Sequence, residues 1–154
     1  MSKAKTDSGR EVGPLISGIL SHVTLCIRDA VDSRKFYVDF LGLKEIPRMP
    51  QPQPGLWLQA GDKQIHLLVP IDPGELPRLR QLTGTPIAPH IAFSVSNLDA
   101  TVQRARAARH IVIVSEFAEG QAFISDPSGN IIEFNSMSTA AESEVIDPPT
   151  MTRC

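Results

Sequence analysis

The chain has 154 residues, 42% of them hydrophobic, and a formal net charge of −2, which suits one domain with a real core. It has no basic block and only 5% aromatic residues, which speaks against a phosphate-tracking surface and so against nucleic acid as a partner. No stretch approaches the ~20 apolar residues of a membrane span, and Cys26 and Cys154 do not make a disulfide framework; a soluble cytoplasmic protein is expected.

Residues 1–16 are small and polar, lack an apolar signal core, and are expected to form a flexible tail. The stretch "SHVTLCI" (21–27) alternates as a half-buried strand does, with Val23, Leu25 and Ile27 on one face and His22, Thr24 and Cys26 on the other. A helix follows. Asp29 or Asp32 can cap it, Phe36, Tyr37, Phe40 and Leu41 form its apolar stripe, and Gly42 ends it as a left-handed C-cap would. Short strands are predicted at about 44–47, 55–60 and 64–69, the last two joined by the turn "AGDK" (60–63). This first unit covers about 17–70, and a linker rich in proline and glycine covers 71–88.

The second unit, about 89–136, repeats the order. In "PHIAFSV", Ile91, Phe93 and Val95 share a face opposite His90, Ala92 and Ser94. Asn97 or Asp99 can cap the next helix, whose inward side is Leu98, Val102 and Ala105. Arg104, Arg106 and Arg109 read as its solvated face, with His110 solvated at its end. Strands are predicted at about 111–114, 121–125 and 130–135, with "DPSGN" (126–130) as a turn. Residues 137–154, which include Pro148-Pro149, are expected to form a second flexible tail.

His22 and His90 are 68 residues apart, and so are Gly61 and Gly129. The same offset at two places argues a repeat. The predicted fold is therefore α+β: two βαβββ modules forming a curved mixed sheet around a cleft. Strand parity sends Ile65, Leu67, Ile132 and Phe134 to the helix side. It leaves Gln64, His66 and Leu68, and Ile131, Glu133 and Asn135, on the other. Four polar residues, His22, His66, His90 and Glu133, thus share the non-helix face at matching places in the two modules. If the modules pair about a pseudo-twofold axis, the four can converge in one cleft. Three neutral imidazoles and a carboxylate suit a divalent transition metal: Fe, Mn, Co, Ni or Zn. A single histidine in a strand is more often a hydrogen-bonded core residue than a ligand; it is the joint pattern that favours a metal. Other polar and aromatic residues give less. Trp57 can line the cleft or the core, Cys26 reads as an inert buried thiol, and Glu116 and Glu119 read as exposed loop residues.

The segments "SHVTLCIRDAVDSRKFYVDFLGL", "IHLL", "PHIAFSVSNLDA" and "FISDPSGNIIEF" together resemble the vicinal-oxygen-chelate superfamily, which includes glyoxalase I, extradiol dioxygenases and bleomycin- and fosfomycin-resistance proteins. The resemblance implies one divalent metal held by His22, His66, His90 and Glu133. It implies a glyoxalase-like lyase or isomerase acting on a small-molecule substrate with vicinal oxygens through an enediolate, with Glu133 as the base that moves the proton, leaving the metal as it does so, and His66 staying bound. Glutathione would be the co-substrate of such a lyase, and Arg48 is the one basic residue placed to meet its carboxylates. Two alternatives go with the same family: an Fe(II) extradiol dioxygenase using His22, His90 and Glu133, with His66 as an acid–base group behind them, and a small-molecule-binding resistance protein without catalysis. The resemblance also implies a homodimer.

Overall fold

The computed structural model describes residues 16, 18–84 and 87–137. The two expected tails lie outside the described residues except for Ile16 and Met137. The first module runs β1 (His22–Cys26), α1 (Ala30–Arg34, continued as a π-helical stretch Lys35–Phe40), β2 (Lys44–Ile46), β3 (Gly55–Ala60) and β4 (Lys63–Leu68). The second runs β5 (His90–Val95), α2 (Leu98–Ala107), β6 (Ile113–Val114), β7 (Gln121–Ser125) and β8 (Ile131–Ser136). Among the described residues no helix is long and apolar enough to cross a membrane.

Each module is one four-stranded mixed sheet, ordered β1-β4-β3-β2 and β5-β8-β7-β6. In each, the first strand lies parallel to the last and the other pairs are antiparallel. The α+β class and the two βαβββ modules are as the sequence predicts. The curved sheet, however, comes as two separate halves within one chain, and β1 and β5 are both edge strands.

Local chemistry explains the elements. Asp29, not Asp32, caps α1: its carboxylate accepts from the Asp32 amide at 2.8 Å, satisfying one of the open donors of the first turn. Asn97, not Asp99, caps α2 through the Ala100 amide at 2.9 Å. The π-helical stretch closes with the Leu41 amide donating to Phe36 O at 2.9 Å; this wider winding sits where the neighbours Phe36 and Tyr37 are both buried. Gly42 has φ +82°, the left-handed C-cap geometry that a side chain would oppose.

The helix-side residues make one core that spans both modules. It includes Ile27, Phe36, Tyr37, Leu58, Ile65 and Leu67 from the first and Val102, Ala105, Ile124, Ile132 and Phe134 from the second. A buried polar network joins the modules. Asp126 accepts from Tyr37 Oη at 2.9 Å, from the Ser128 amide at 2.9 Å and from the Asn130 amide at 2.7 Å. The Asn130 side chain donates to Asp126 and to Cys26 O, and the Arg28 amide donates to Ser128 Oγ. "DPSGN" is a turn, as predicted, but its polar side chains are an inter-module clasp. Burial and the neighbouring Asp126 carboxylate push Tyr37 far above the usual tyrosine range, so the phenol stays a donor.

Two expectations at the end of α2 need correction. His110 is not a solvated residue: its ring packs on Phe36 and Phe40, with centroids 5.3 and 4.5 Å away, and burial lowers its pKa. Arg104 is not merely solvated either. Its guanidinium donates to Phe40 O at 2.8 Å and lies over the Phe40 ring, tying α2 to the first module.

Candidate functional site

Ladder register decides which side chains share a face, because residues opposite each other in adjacent strands project the same way. In the first sheet, Thr24, His66, Trp57 and Ile46 form one row, and His22, Gln64, Gln59 and Lys44 the next. In the second sheet, Ala92, Glu133, Phe123 and Ile113 form the corresponding row, with His90 opposite Ile131 one row away. His66 and Glu133 therefore hold the same register position, each opposite the residue two places after the module's first histidine. The match inferred from the turn glycines is a match in the sheets as well.

In the second module His90 and Glu133 touch. His90 Nε2 is 2.8 Å from Glu133 Oε2, and His90 Nδ1 is 2.8 Å from Ala88 O. A backbone carbonyl can only accept, so Nδ1 carries a hydrogen and Nε2 is the nitrogen presented to Glu133. Glu133 is 5% exposed, so its carboxylate has little water to solvate it. Phe123 stands edge-on to His90, with centroids 6.1 Å apart.

In the first module His22 and His66 stack, with centroids 4.2 Å apart. His66 is 9% exposed, and its other face lies on Trp57. Its Nε2 is 2.9 Å from Gln64 Oε1, while His22 Nδ1 is 3.1 Å from Ser21 Oγ. Burial, and next the proximity of His22, lower the His66 pKa, which keeps the imidazole in the uncharged form that a metal binds.

The donor chemistry of both pairs fits a divalent transition metal. A ligating histidine usually donates its other ring N–H to a carbonyl or carboxylate, and His90 does so to Ala88 O. Two ligands at right angles and ~2.1 Å from one ion stand roughly 3.0 Å apart, close to the 2.8 Å between His90 Nε2 and Glu133 Oε2. Among the described residues, however, no three of His, Cys, Asp and Glu gather closely enough to hold an ion. The expected convergence of four side chains is thus two pairs in one chain, His22 with His66 and His90 with Glu133.

On the same face as His66, Thr24, Cys26 and Leu68 line an open cavity of about 720 Å³, together with Gln51, Gln53, Asp72 and Glu75 among others. Burial, and then Glu75, raise the Cys26 pKa, so the half-buried Cys26 stays a thiol rather than a nucleophilic thiolate. Arg48 does not serve as a free basic group at the cleft mouth. Its guanidinium donates to Gly55 O at 3.0 Å, to Gln51 O at 3.3 Å and to Gln53 O, which commits it to shaping the 48–55 loop. The Trp57 and Gln64 contacts to His66 were not singled out from sequence. Parity already put Gln64 beside His66, but the partner strand of Trp57 is a matter of register.

Residues 19–134 match the family model of the Glyoxalase/Bleomycin resistance protein/Dioxygenase superfamily. The chain belongs to this superfamily. No curated protein matches the sequence. A glyoxalase family protein from Bacillus anthracis is 26% identical, with a TM-score of 0.64 over 80% of this chain and 97% of that one. Trypanothione-dependent glyoxalase I from Leishmania major is 22% identical, with a TM-score of 0.66 over 82% and 91% of the two chains. The fosfomycin resistance protein FosX from Listeria monocytogenes is 20% identical, with a TM-score of 0.61 over 79% and 91%. A variant of FosX has been solved with Mn(II). The matched segment runs through both modules and includes His66 and Glu133.

Proposed function

We propose that this protein is a metal-dependent, glyoxalase-like lyase or isomerase acting on a small substrate with vicinal oxygens. The observation that carries it is the His90–Glu133 pair at 2.8 Å, its outer nitrogen fixed by Ala88 O, in register with the histidine pair of the other module. His22, His66, His90 and Glu133 would hold one divalent ion of Fe, Ni, Co, Zn or Mn. When bound, the ion supplies Lewis-acid polarisation of the substrate's two oxygens. Glu133 takes a proton from the carbon beside the carbonyl, and the resulting enediolate recovers it at the neighbouring carbon. The low exposure of Glu133 limits exchange of that proton with water.

The functional unit in this proposal is a homodimer. One chain supplies two half-sites, and each half sits beside an open sheet edge: His22 begins β1 and His90 begins β5. Exposed Leu20 and Ile87 lie just before those edges. Open edges with apolar flanks are surfaces that a partner strand covers. A second copy offering its β5 half to the first copy's β1 half would complete the set of four. The setting of the protein in this proposal is the cytoplasm.

A second reading, an Fe(II) extradiol dioxygenase, draws support from His66. Its Nε2 is taken by Gln64 and both of its faces are stacked, which suits an acid–base group behind a His22–His90–Glu133 triad. Protein purified anaerobically and loaded separately with Ni(II), Co(II), Zn(II), Mn(II) or Fe(II) is assayed on the methylglyoxal–glutathione adduct and on catechol. Isomerisation of the adduct is the expected result. Ring cleavage with Fe(II) alone would transfer the assignment to the dioxygenase, and turnover of neither substrate with any ion would overturn the catalytic proposal for these two substrate classes.

A further inference from the structure

The sole tryptophan of the chain is part of a ring column on the face of the first sheet that carries His66. The Trp57 indole lies 4.0 Å from the His66 ring at an interplanar angle of 3°, and His66 lies 4.2 Å from His22 at 17°. The contact is built into the sheet, since Trp57 on β3 is directly opposite His66 on β4. His66 therefore has one ring face against an indole and the other against an imidazole, while Gln64 Oε1 faces Nε2 at 2.9 Å. Turning the imidazole about its bond to Cβ would break both stacks and that hydrogen bond together. Because the carboxamide oxygen only accepts, the ring hydrogen sits on Nε2 and the lone pair on Nδ1.

The second module supports a role specific to a histidine neighbour. The position equivalent to Trp57 is Phe123, opposite Glu133. A carboxylate offers no aromatic ring to stack on, and Phe123 instead turns its ring across His90 at 88°. The indole Nε1 of Trp57 is buried and has no hydrogen-bond partner among the described residues. A buried unpaired donor is a cost, so what the residue contributes at this place is its ring face rather than its N–H.

We propose that Trp57 is the positioning residue of the site: its indole holds the His66 ring in the plane from which that ring meets the metal or the substrate. This rests on the metal-site reading above. The geometry also makes Trp57 a reporter of events at His66, since an open-shell ion bound there lies within a few ångströms of the only indole.

The test uses the full-length metal-free protein with Co(II) and Zn(II) as probes. Co(II) should quench most of the tryptophan emission, saturating at one ion per chain, and Zn(II), a closed-shell ion, should reverse the quenching by competition without quenching by itself. Trp57→Phe, which keeps a flat ring, should bind Co(II) within a few-fold of wild type. Trp57→Leu should lose about 10–100-fold in affinity, the range seen when the support behind a ligand is removed, and should alter the visible spectrum of bound Co(II). The His66 ring protons should resonate upfield in the metal-free protein and move downfield in Trp57→Leu. An unchanged Co(II) affinity and spectrum in Trp57→Leu, with only a lowered melting temperature, would reduce Trp57 to packing and overturn the proposal. Wild-type protein that binds no Co(II) would instead remove the metal-site reading, and the ring-proton shifts would then decide by themselves whether Trp57 orients His66: no movement in Trp57→Leu overturns it.

Discussion

Asp126→Ala should lower the stability of the protein by about 3–5 kcal/mol, because several buried donors lose their shared acceptor at once. The reason is the number of groups left behind. Asp126 is 4% exposed and accepts hydrogen bonds from Tyr37 Oη, two backbone amides and the Asn130 side chain. Each buried donor left without a partner costs about 1–3 kcal/mol, and the terms do not fully add. Tyr37 is fully buried and cannot turn to water. Melting by calorimetry should show a fall of roughly 10 °C or more. Tyr37→Phe should lose only about 1–2 kcal/mol, because it removes one donor and leaves the carboxylate its other partners. Equal, small losses in both variants would mean that the network does not clasp the modules together.

Glu133→Gln should abolish most turnover while leaving the fold intact. The amide keeps the shape of the carboxylate and still offers an oxygen 2.8 Å from His90 Nε2. It cannot take up a proton, so at saturating metal kcat should fall by about 10²–10⁴, the usual contribution of a general base. Metal affinity should fall too, since a charged ligand becomes neutral, by more than the 10–100-fold typical of losing a group behind a ligand. The two losses are separated by measuring kcat against metal concentration. Recovery of wild-type kcat at high metal would show that Glu133 serves binding only and that another group moves the proton.

Much of this fold is legible in the sequence because strands have a period of two. Parity alone put Ile65, Leu67, Ile132 and Phe134 in the core and His22, His66, His90 and Glu133 on the opposite face, and the ladders agree. The repeat made His66 and Glu133 equivalent, and their register is the same. Parity does not say which sheet edges meet. Nothing in the strand pattern tells that β1 and β5 are both edges, so the division of four residues into two pairs could not be read in advance. Side-chain commitments are also beyond pattern. Arg48 looks free in a sequence, but nearby carbonyls of its own loop take its guanidinium. "DPSGN" looks like any turn until Tyr37, from the other module, arrives at Asp126. His110 looks solvated beside arginines until the aromatic residues of α1 pack against it.

The metal site as one set of four residues, completed by two copies, is tested most directly by complementation. One variant carries His22→Ala and His66→Ala, the other His90→Ala and Glu133→Ala, each with a different affinity tag. Purified alone, each should fold but bind no Zn(II) tightly, whereas wild type binds about one ion per chain. Co-expressed and isolated through both tags, the mixed dimer should regain one tight Zn(II) site, built from the intact first module of one chain and the intact second module of the other. A mixed protein as empty as its parents, or no mixed dimer at all, beside a wild type that binds one ion per chain, would place the site within a single chain. A wild type without tight Zn(II), Co(II), Ni(II), Mn(II) or Fe(II) binding would contradict the metal site itself.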